Sequence, residues 1–188
     1  DTLLPGGVVV FGDSRGFAWP SPAGHTLINR SISGQTTAEC LLRLEAHVLP
    51  LKPRQVVIQL GVNDLKAVAL FPPRRDTIVT NCQTNLRDIV RRLTEAGAQV
   101  ILCTIFPPGD LPFYRIPFWS DEIIPAILTT NAYLKTLASD QVIILDAYAL
   151  LTDPATGRVY PAYQYDFLHL NTAGYEVLNT ALVPLLQP

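Results

Sequence analysis

The sequence predicts an α/β fold in which an open, mostly parallel sheet carries helices on both faces. Short apolar, β-branched runs alternate with segments of helical periodicity along most of the chain, and this alternation is typical of parallel sheets. The chain has 188 residues, of which 48% are hydrophobic and 16% charged, so it has enough apolar side chains for a packed core. We therefore expect a single domain over residues 1–188, without a linker or an internal repeat.

Five segments have the composition of strands. The first, Val8–Phe11, is an uninterrupted apolar run that ends at Gly12, as expected for a strand buried on both faces. The other four predicted strands are Thr26–Asn29, Gln55–Leu60, Gln99–Ile105 and Gln141–Leu145.

Four segments between and after these strands have helical patterns. Thr36 and Glu39 match the capping box that begins many helices. An apolar stripe at helical spacing follows, made of Leu41, Leu42, Leu44 and Val48. The other predicted helices, the first ended by Gly97 and the last capped by Asn171, are Ile78–Ala96, Ile123–Leu137 and Thr172–Leu182.

Composition excludes several classes of protein. The formal net charge of −2 argues against a nucleic-acid binder, which needs a basic face to neutralise phosphates. No run approaches the roughly 18 consecutive apolar residues of a membrane helix. We expect a soluble protein, either cytoplasmic or secreted with its signal removed, whose oligomeric state the sequence leaves open. The three widely spaced cysteines are expected to be small buried residues rather than a disulfide framework or a metal site.

Polar residues follow the ends of several predicted strands. Because ligands of parallel α/β proteins bind beyond the carboxyl ends of the strands, these residues are the candidates for chemistry. They include Ser14 after the first strand, Gly34 after the second, Asn63 after the third, and the pair Asp166 and His169 near the C-terminus. Together they supply a nucleophile, a base, an orienting carboxylate and oxyanion donors, the parts that acyl transfer requires.

Each residue type has a specific task in such chemistry. A serine hydroxyl is a poor nucleophile until a base takes its proton, and His169 can take that proton and return it to the leaving group. Asp166 lies three residues before His169, so one helical turn would place both side chains on the same face. A glycine N–H and an asparagine amide can stabilise the oxyanion of the tetrahedral intermediate.

The chain resembles the GDSL/SGNH hydrolase superfamily from Val8 to about Tyr175. The resemblance rests on Gly12-Asp13-Ser14 followed in order by Gly34, Asn63 and His169. It implies a flavodoxin-like, three-layer α/β/α sandwich with a five-stranded parallel sheet. It also implies that Ser14, His169 and Asp166 are nucleophile, base and orienting acid, and that the oxyanion hole consists of Ser14, Gly34 and Asn63. No cofactor or metal is implied, and the expected partner is a small-molecule ester substrate.

The substrate is less defined than the type of bond. Arg15 stands where the family often has a small or apolar residue, and we expect it to contact substrate or a surface carboxylate. The long aromatic loop from Pro107 to Ser120 is expected to bound a small apolar pocket together with a tryptophan near the nucleophile, and the candidate residues are Trp19, Phe118 and Trp119. Such a pocket predicts a preference for short acyl chains.

Other functions stay open at this point. The family also contains carbohydrate acetylesterases, lysophospholipases and thioesterases. A different class would be a flavodoxin-like module that binds a phosphate or nucleotide at Gly12–Gly16, although no glycine-rich fingerprint of the usual spacing is present. A metal-dependent hydrolase would use carboxylates and an imidazole from Asp13, Asp64, Asp166 and His169.

Overall fold

A five-stranded parallel sheet forms the centre of the protein. The computed structural model describes residues 6–114 and 119–187, and its strand order is β2-β1-β3-β4-β5 with every neighbouring pair parallel. The prediction of a five-stranded parallel α/β fold is therefore confirmed. The strands are β1 (Val8–Gly12), β2 (Leu27–Asn29), β3 (Gln55–Gln59), β4 (Gln99–Cys103) and β5 (Val142–Leu145).

Helices cover both faces of this sheet. They are α1 (Ser14–Phe17), α2 (Thr37–His47), α3 (Val62–Leu65), α4 (Ala67–Leu70), α5 (Arg75–Glu95), α6 (Ile123–Lys135), α7 (Ala147–Leu151) and α8 (Thr172–Leu182). Alternate residues of the strands enter two buried clusters, one shared with α2, α5 and α6 and the other with α7 and α8. These clusters form the interfaces between the three layers, because successive strand side chains point to opposite faces of a sheet.

Most element boundaries agree with the sequence patterns to within three residues. The Thr36 hydroxyl and the Glu39 carboxylate make the predicted capping box at the start of α2, and the Asn171 side chain caps α8. Leu42 was wrongly assigned to the buried stripe, since it is 85% exposed. The inward face of α2 carries Cys40 and Leu44, and Leu42 lies between them on the opposite side of the helix.

β4 ends two residues before the predicted end. Its last strand residue is Cys103, and a side chain binds the backbone of Ile105, two residues further on. The Asn131 side chain of α6 accepts from the N–H of Ile105 at 2.7 Å and donates to the same residue's carbonyl at 2.9 Å. A side-chain amide thus satisfies the backbone groups that another strand would otherwise pair.

The chain after α7 contains two further strands. They form a short antiparallel hairpin of β6 (Thr152–Asp153) and β7 (Arg158–Val159). A 3-10 turn at Pro161–Tyr163 follows before α8 begins. At its far end, α8 leads to Leu185 and Gln187, which bond to Gln55 at the start of β3. Because α8 ends at the amino edge of the sheet, its first residues lie at the carboxyl edge.

The three cysteines are buried and unpaired, as predicted. Burial raises the pKa of the Cys40 thiol to about 12, despite the nearby Arg43 charge. Across the described ranges, no helix combines the length and the apolar character needed to cross a membrane.

Gly61, immediately before α3, should tolerate no side chain. Its φ is +120°, and a Cβ there would lie 2.6 Å from the Ile105 Cδ1 and 3.3 Å from the Cys82 Sγ. We expect Gly61→Ala to lower the free energy of unfolding by about 2–4 kcal/mol, from backbone strain and overpacking together.

Gly97→Ala is the matched control for this substitution. Gly97 also has a positive φ, of +88°, but a Cβ there would meet nothing within 4 Å, so only a strain of about 1 kcal/mol is expected. Urea denaturation of both variants measures the difference. Equal losses in the two variants would contradict the packing argument.

Candidate active site

The segment that carries Ser14 turns sharply at the carboxyl end of β1. Asp13 caps α1, and its Oδ1 accepts the backbone N–H of Arg15 at 2.9 Å. Ser14 is therefore the first residue of a helical turn, which places its hydroxyl at the edge of the sheet. An aspartate at the N-cap stabilises such a turn because it satisfies an otherwise unpaired backbone donor.

A chain of hydrogen bonds joins Ser14 to two residues near the C-terminus. The Ser14 Oγ lies 2.9 Å from the Nε2 of His169, 155 residues away in sequence. The Nδ1 of the same imidazole lies 2.8 Å from the Oδ2 and 3.0 Å from the Oδ1 of Asp166. The structure thus brings together the three side chains that the sequence nominated as nucleophile, base and orienting acid.

A turn, and not a helix, sets the Asp166–His169 geometry. The predicted helical turn is wrong, since residues 165–168 are irregular. Instead, the Asp166 Oδ1 accepts the backbone N–H groups of Leu168 and His169, both at 2.7 Å. This side-chain-to-backbone turn folds the segment so that the carboxylate also reaches the imidazole, because a carboxylate has several lone pairs to share.

Asp166 is held in its ionised form. Partial burial would raise its pKa, but the bonds from the His169 ring and from the N–H groups of Leu168 and His169 keep the pKa below its usual range. An ionised carboxylate at this place fixes the tautomer with a proton on Nδ1, which leaves Nε2 free to accept a proton from the Ser14 hydroxyl.

Gly34 and Asn63 follow the two strands that flank β1. Gly34 has a φ of +82°, which explains the glycine. The Asn63 amide in α3 donates to the carbonyl of Gln35, the residue after Gly34, at 2.9 Å. The primary amide carries a second N–H, which this bond leaves free for another acceptor. The two predicted oxyanion donors thus belong to segments that are bonded to each other beside the nucleophile strand.

Asp64 joins the same two segments from behind. Its carboxylate accepts from the Thr37 backbone N–H at 2.9 Å and from the Thr37 hydroxyl at 2.6 Å. Burial raises the pKa of Asp64 while these bonds oppose the rise. Asp64 therefore ties α3 to the start of α2.

Two of the residues expected to contact substrate lie in the interior instead. Arg15 is 1% exposed, and its guanidinium donates to backbone carbonyls, so a surface carboxylate is not its partner either. Trp19 is 3% exposed, and its Nε1 donates to the Asn179 Oδ1 at 2.8 Å. Its ring packs against Phe106 in the core. Both assignments are corrected, because neither side chain reaches the surface.

The two remaining candidates differ from each other. Trp119 is half-buried, and its ring lies edge-on to Phe167 with centroids 5.8 Å apart, so it supports the segment that carries Asp166. Phe118 lies outside the described residues.

A groove of about 400 Å³ lies beside Asp166. It is open to solvent and is lined by Asp110, Leu111, Pro112, Tyr114, Gln164, Tyr165, Asp166 and Phe167. Tyr165 is 78% exposed. The loop containing Tyr114 was predicted to bound a pocket. The opposite wall, formed by residues 164–167, was not predicted from the sequence. The sequence signal for that wall was Tyr165, the aromatic residue directly before Asp166.

The carboxylates do not gather into a metal site. Within residues 6–114 and 119–187, no three His, Cys, Asp or Glu side chains are grouped so that they could hold a metal ion. Asp13 binds the Arg15 N–H, Asp64 binds Thr37, and Asp166 binds His169, so the carboxylates of the metal-dependent alternative have three separate partners.

The structure thus combines a parallel α/β fold with a Ser–His–Asp hydrogen-bond chain at the carboxyl edge of its sheet. The sequence profile described as the GDSL-like lipase/acylhydrolase family matches residues 8–177. The chain therefore belongs to that family, and the predicted resemblance is confirmed.

Named relatives match the chain over about half its length. The chain is 37% identical to the Esterase TesA of Pseudomonas aeruginosa over 92 aligned residues, and this alignment covers 48% of this chain and 41% of the relative. The chain is also 36% identical over 85 positions to an arylesterase of Vibrio mimicus, covering 45% of this chain and 38% of the relative. The matches span about two fifths of either relative.

Solved structures match over nearly the whole chain. A GDSL-like lipase from Bacteroides thetaiotaomicron gives a TM-score of 0.76 at 22% identity, covering 95% of this chain and 86% of that chain. An acetylxylan esterase from Geobacillus stearothermophilus gives a TM-score of 0.70 at 19% identity, covering 98% and 95%. At these identities, the likeness establishes the shared fold.

The two aspartates beside Ser14 and His169 should have opposite effects on the pH dependence of stability. Burial raises the pKa of Asp13 to about 6, although the Arg15 charge and N–H oppose the rise. Its contribution to stability is therefore complete below the unfolded pKa of ~3.9 and is lost as the pH rises through 6. For Asp166 the pKa is lowered, so its contribution is present above ~3.9 and is lost on acidification.

As the pH rises from about 4 to about 7.5, wild type should lose up to about 3 kcal/mol of stability because Asp13 ionises. Asparagine does not titrate, so the stability of Asp13→Asn relative to wild type should rise by that amount over the same range. Asp166→Asn should show the opposite trend and gain relative to wild type as the pH falls. Urea midpoints at pH 4 and pH 7.5 measure the first difference. Midpoints at about pH 5 and about pH 3 measure the second, because Asp166 loses its contribution only below ~3.9. A constant gap between Asp13→Asn and wild type would contradict the buried, titrating carboxyl.

Proposed function

We propose that this protein is a serine hydrolase that cleaves carboxylic esters through an acyl-enzyme on Ser14. The observation that carries the proposal is the continuous hydrogen-bond chain from the Ser14 Oγ through His169 to Asp166. A hydroxyl bonded to a base that is itself oriented by a carboxylate is the arrangement that activates a serine nucleophile.

The first half-reaction transfers the acyl group to the protein. As the Ser14 Oγ attacks the ester carbonyl carbon, its proton passes to the Nε2 of His169. The ionised Asp166 stabilises the resulting imidazolium through Nδ1. When the tetrahedral intermediate collapses, the bond to the alcohol oxygen breaks, and the imidazolium gives its proton to that oxygen.

The second half-reaction regenerates the enzyme. A water molecule attacks the acyl carbon and gives a proton to the Nε2 of His169, which then returns it to the Ser14 Oγ as the acid departs. Both tetrahedral intermediates carry a negative oxygen, for which we assign the Ser14 N–H, the Gly34 N–H and the free N–H of Asn63 as donors. One such donor contributes on the order of 100- to 1,000-fold in rate.

The proposed substrate is a small ester with a short acyl chain. The groove beside Asp166 is shallow and open, with apolar walls supplied by Leu111, Pro112 and Phe167 and a tyrosine at either side. Such a groove offers little enclosed volume for a long acyl chain. The names of the relatives, esterase, arylesterase and acetylxylan esterase, support ester hydrolysis in general. Acetylated sugars, lysophospholipids and thioesters are alternative substrates, to be assayed beside simple esters.

Ser14→Ala should abolish ester hydrolysis and leave the fold intact. Only the hydroxyl is removed, and alanine is well tolerated in the first turn of a helix, so we expect an unchanged melting temperature. Turnover of 4-nitrophenyl acetate should fall by at least about 10⁴-fold. The control is Ser139→Ala, at an exposed loop position, which should retain wild-type turnover. Undiminished hydrolysis by Ser14→Ala would refute the proposed nucleophile.

Acyl-chain preference should follow the shape of the groove. In a series of 4-nitrophenyl esters from acetate to dodecanoate, we expect kcat/KM to be highest between acetate and hexanoate, because longer chains find little additional apolar surface to cover. The series is measured below the critical micelle concentration of each ester. A maximum at decanoate or dodecanoate would contradict the short-chain proposal.

A further inference from the structure

Arg15 is the largest side chain that the described protein buries completely. Its guanidinium donates to three backbone carbonyls: Nε to Leu168 at 2.6 Å, Nη1 to Phe106 at 3.0 Å and Nη2 to Pro107 at 3.3 Å. Across residues 6–114 and 119–187, no carboxylate lies within ion-pair distance of this group. A buried cation is thus satisfied by backbone oxygens from two separate segments.

These segments are the ones that the proposed mechanism needs to hold still. Leu168 directly precedes His169, whereas Phe106 and Pro107 begin the loop that leads to the groove. Arg15 itself directly follows Ser14, and its backbone is held at both ends. Its N–H donates to Asp13 at 2.9 Å, and its carbonyl accepts the Tyr175 hydroxyl of α8 at 2.7 Å.

Two bonds therefore run side by side between the same two stretches of chain. One joins Ser14 to the imidazole of His169, and the other joins the next residue, Arg15, to the carbonyl of Leu168. The stretch at residues 165–168 has no regular secondary structure. A rigid, multidentate guanidinium can restrain it because its donors are fixed in one plane.

Burial of the Arg15 charge carries a desolvation cost. Burial lowers the pKa of Arg15, and the nearby Asp13 charge opposes that effect. The three hydrogen bonds offset the desolvation cost, because without the guanidinium the carbonyls of Leu168, Phe106 and Pro107 would lose these donors. The guanidinium therefore ties the position of Leu168 to the segment that carries Ser14.

We propose that Arg15 is a positioning residue that fixes the separation of Ser14 and His169 by holding the Leu168 carbonyl. The inference rests on the proposed function, because it assumes that proton transfer between these two side chains limits the reaction. Arg15 acts on the geometry of the pair and does not touch the substrate.

The test compares Arg15→Met and Arg15→Lys with wild type. Methionine fills a similar volume but leaves the three carbonyls without these donors, so we expect a folded protein with a lower melting temperature. Its kcat should fall about 100-fold, since displacements of about 1 Å have effects of this size, while KM changes by less than about threefold. Lysine keeps the charge but cannot span all three carbonyls, so its kcat should fall about 10-fold.

The rate at which a fluorophosphonate modifies Ser14 gives a second readout that needs no ester turnover. It should slow in both variants in parallel with kcat, because the reagent depends on the same serine–histidine pair. Arg54→Met is the matched control. Arg54 also donates to a backbone carbonyl, that of Gln187 at 2.9 Å, but at the opposite edge of the sheet, so both rates should remain at wild-type values.

Two results would overturn the inference. One is a folded Arg15→Met whose kcat and phosphonylation rate lie within twofold of wild type; the other is a loss expressed in KM alone. If Arg15→Met does not fold, Arg15→Lys decides, and wild-type rates in that variant also overturn it. A wild-type protein that neither hydrolyses esters nor reacts with the fluorophosphonate would instead contradict the proposed function.

Discussion

The hydrogen bond between the Ser14 hydroxyl and the His169 imidazole is the contact on which the account depends, and the whole topology is needed to form it. β1 lies between β2 and β3, so the residues after it are flanked by the segments that carry Gly34 and Asn63. α8 begins at the same edge of the sheet, and its Tyr175 binds the Arg15 carbonyl. Ser14 and His169, which lie near opposite ends of the chain, therefore meet because the sheet and α8 bring their segments to the same edge. Local sequence patterns do not determine this contact.

Below this contact, the protein buries three ionisable side chains. Asp13, Arg15 and Asp64 lie beneath the edge where Ser14 stands, and burial shifts the pKa of each towards its neutral form. Each is bonded to backbone groups that shape a segment of the site. These three side chains therefore order the backbone beneath the candidate site.

Sequence patterns predicted most of the fold because strand and helix periodicities are local. The alternation of elements, the capping box at Thr36 and the cap at Asn171 were all recognisable. The order in which polar residues follow the strands nominated Ser14 and His169. The three-residue spacing of Asp166 and His169 suits both a helix and an Asx-type turn, so it could not decide between them. The inward direction of Arg15 was unpredictable because its acceptors are carbonyls about 90 and 150 residues away.

Rapid-quench mass spectrometry of the intact protein during turnover of 4-nitrophenyl acetate would detect a covalent intermediate on Ser14. We expect a species heavier by one acetyl group, formed with the first burst of nitrophenol and located by peptide mapping to the segment containing Ser14. Hydrolysis at full rate with no acylated species, or with the acetyl group on another residue, would contradict Ser14 as the nucleophile.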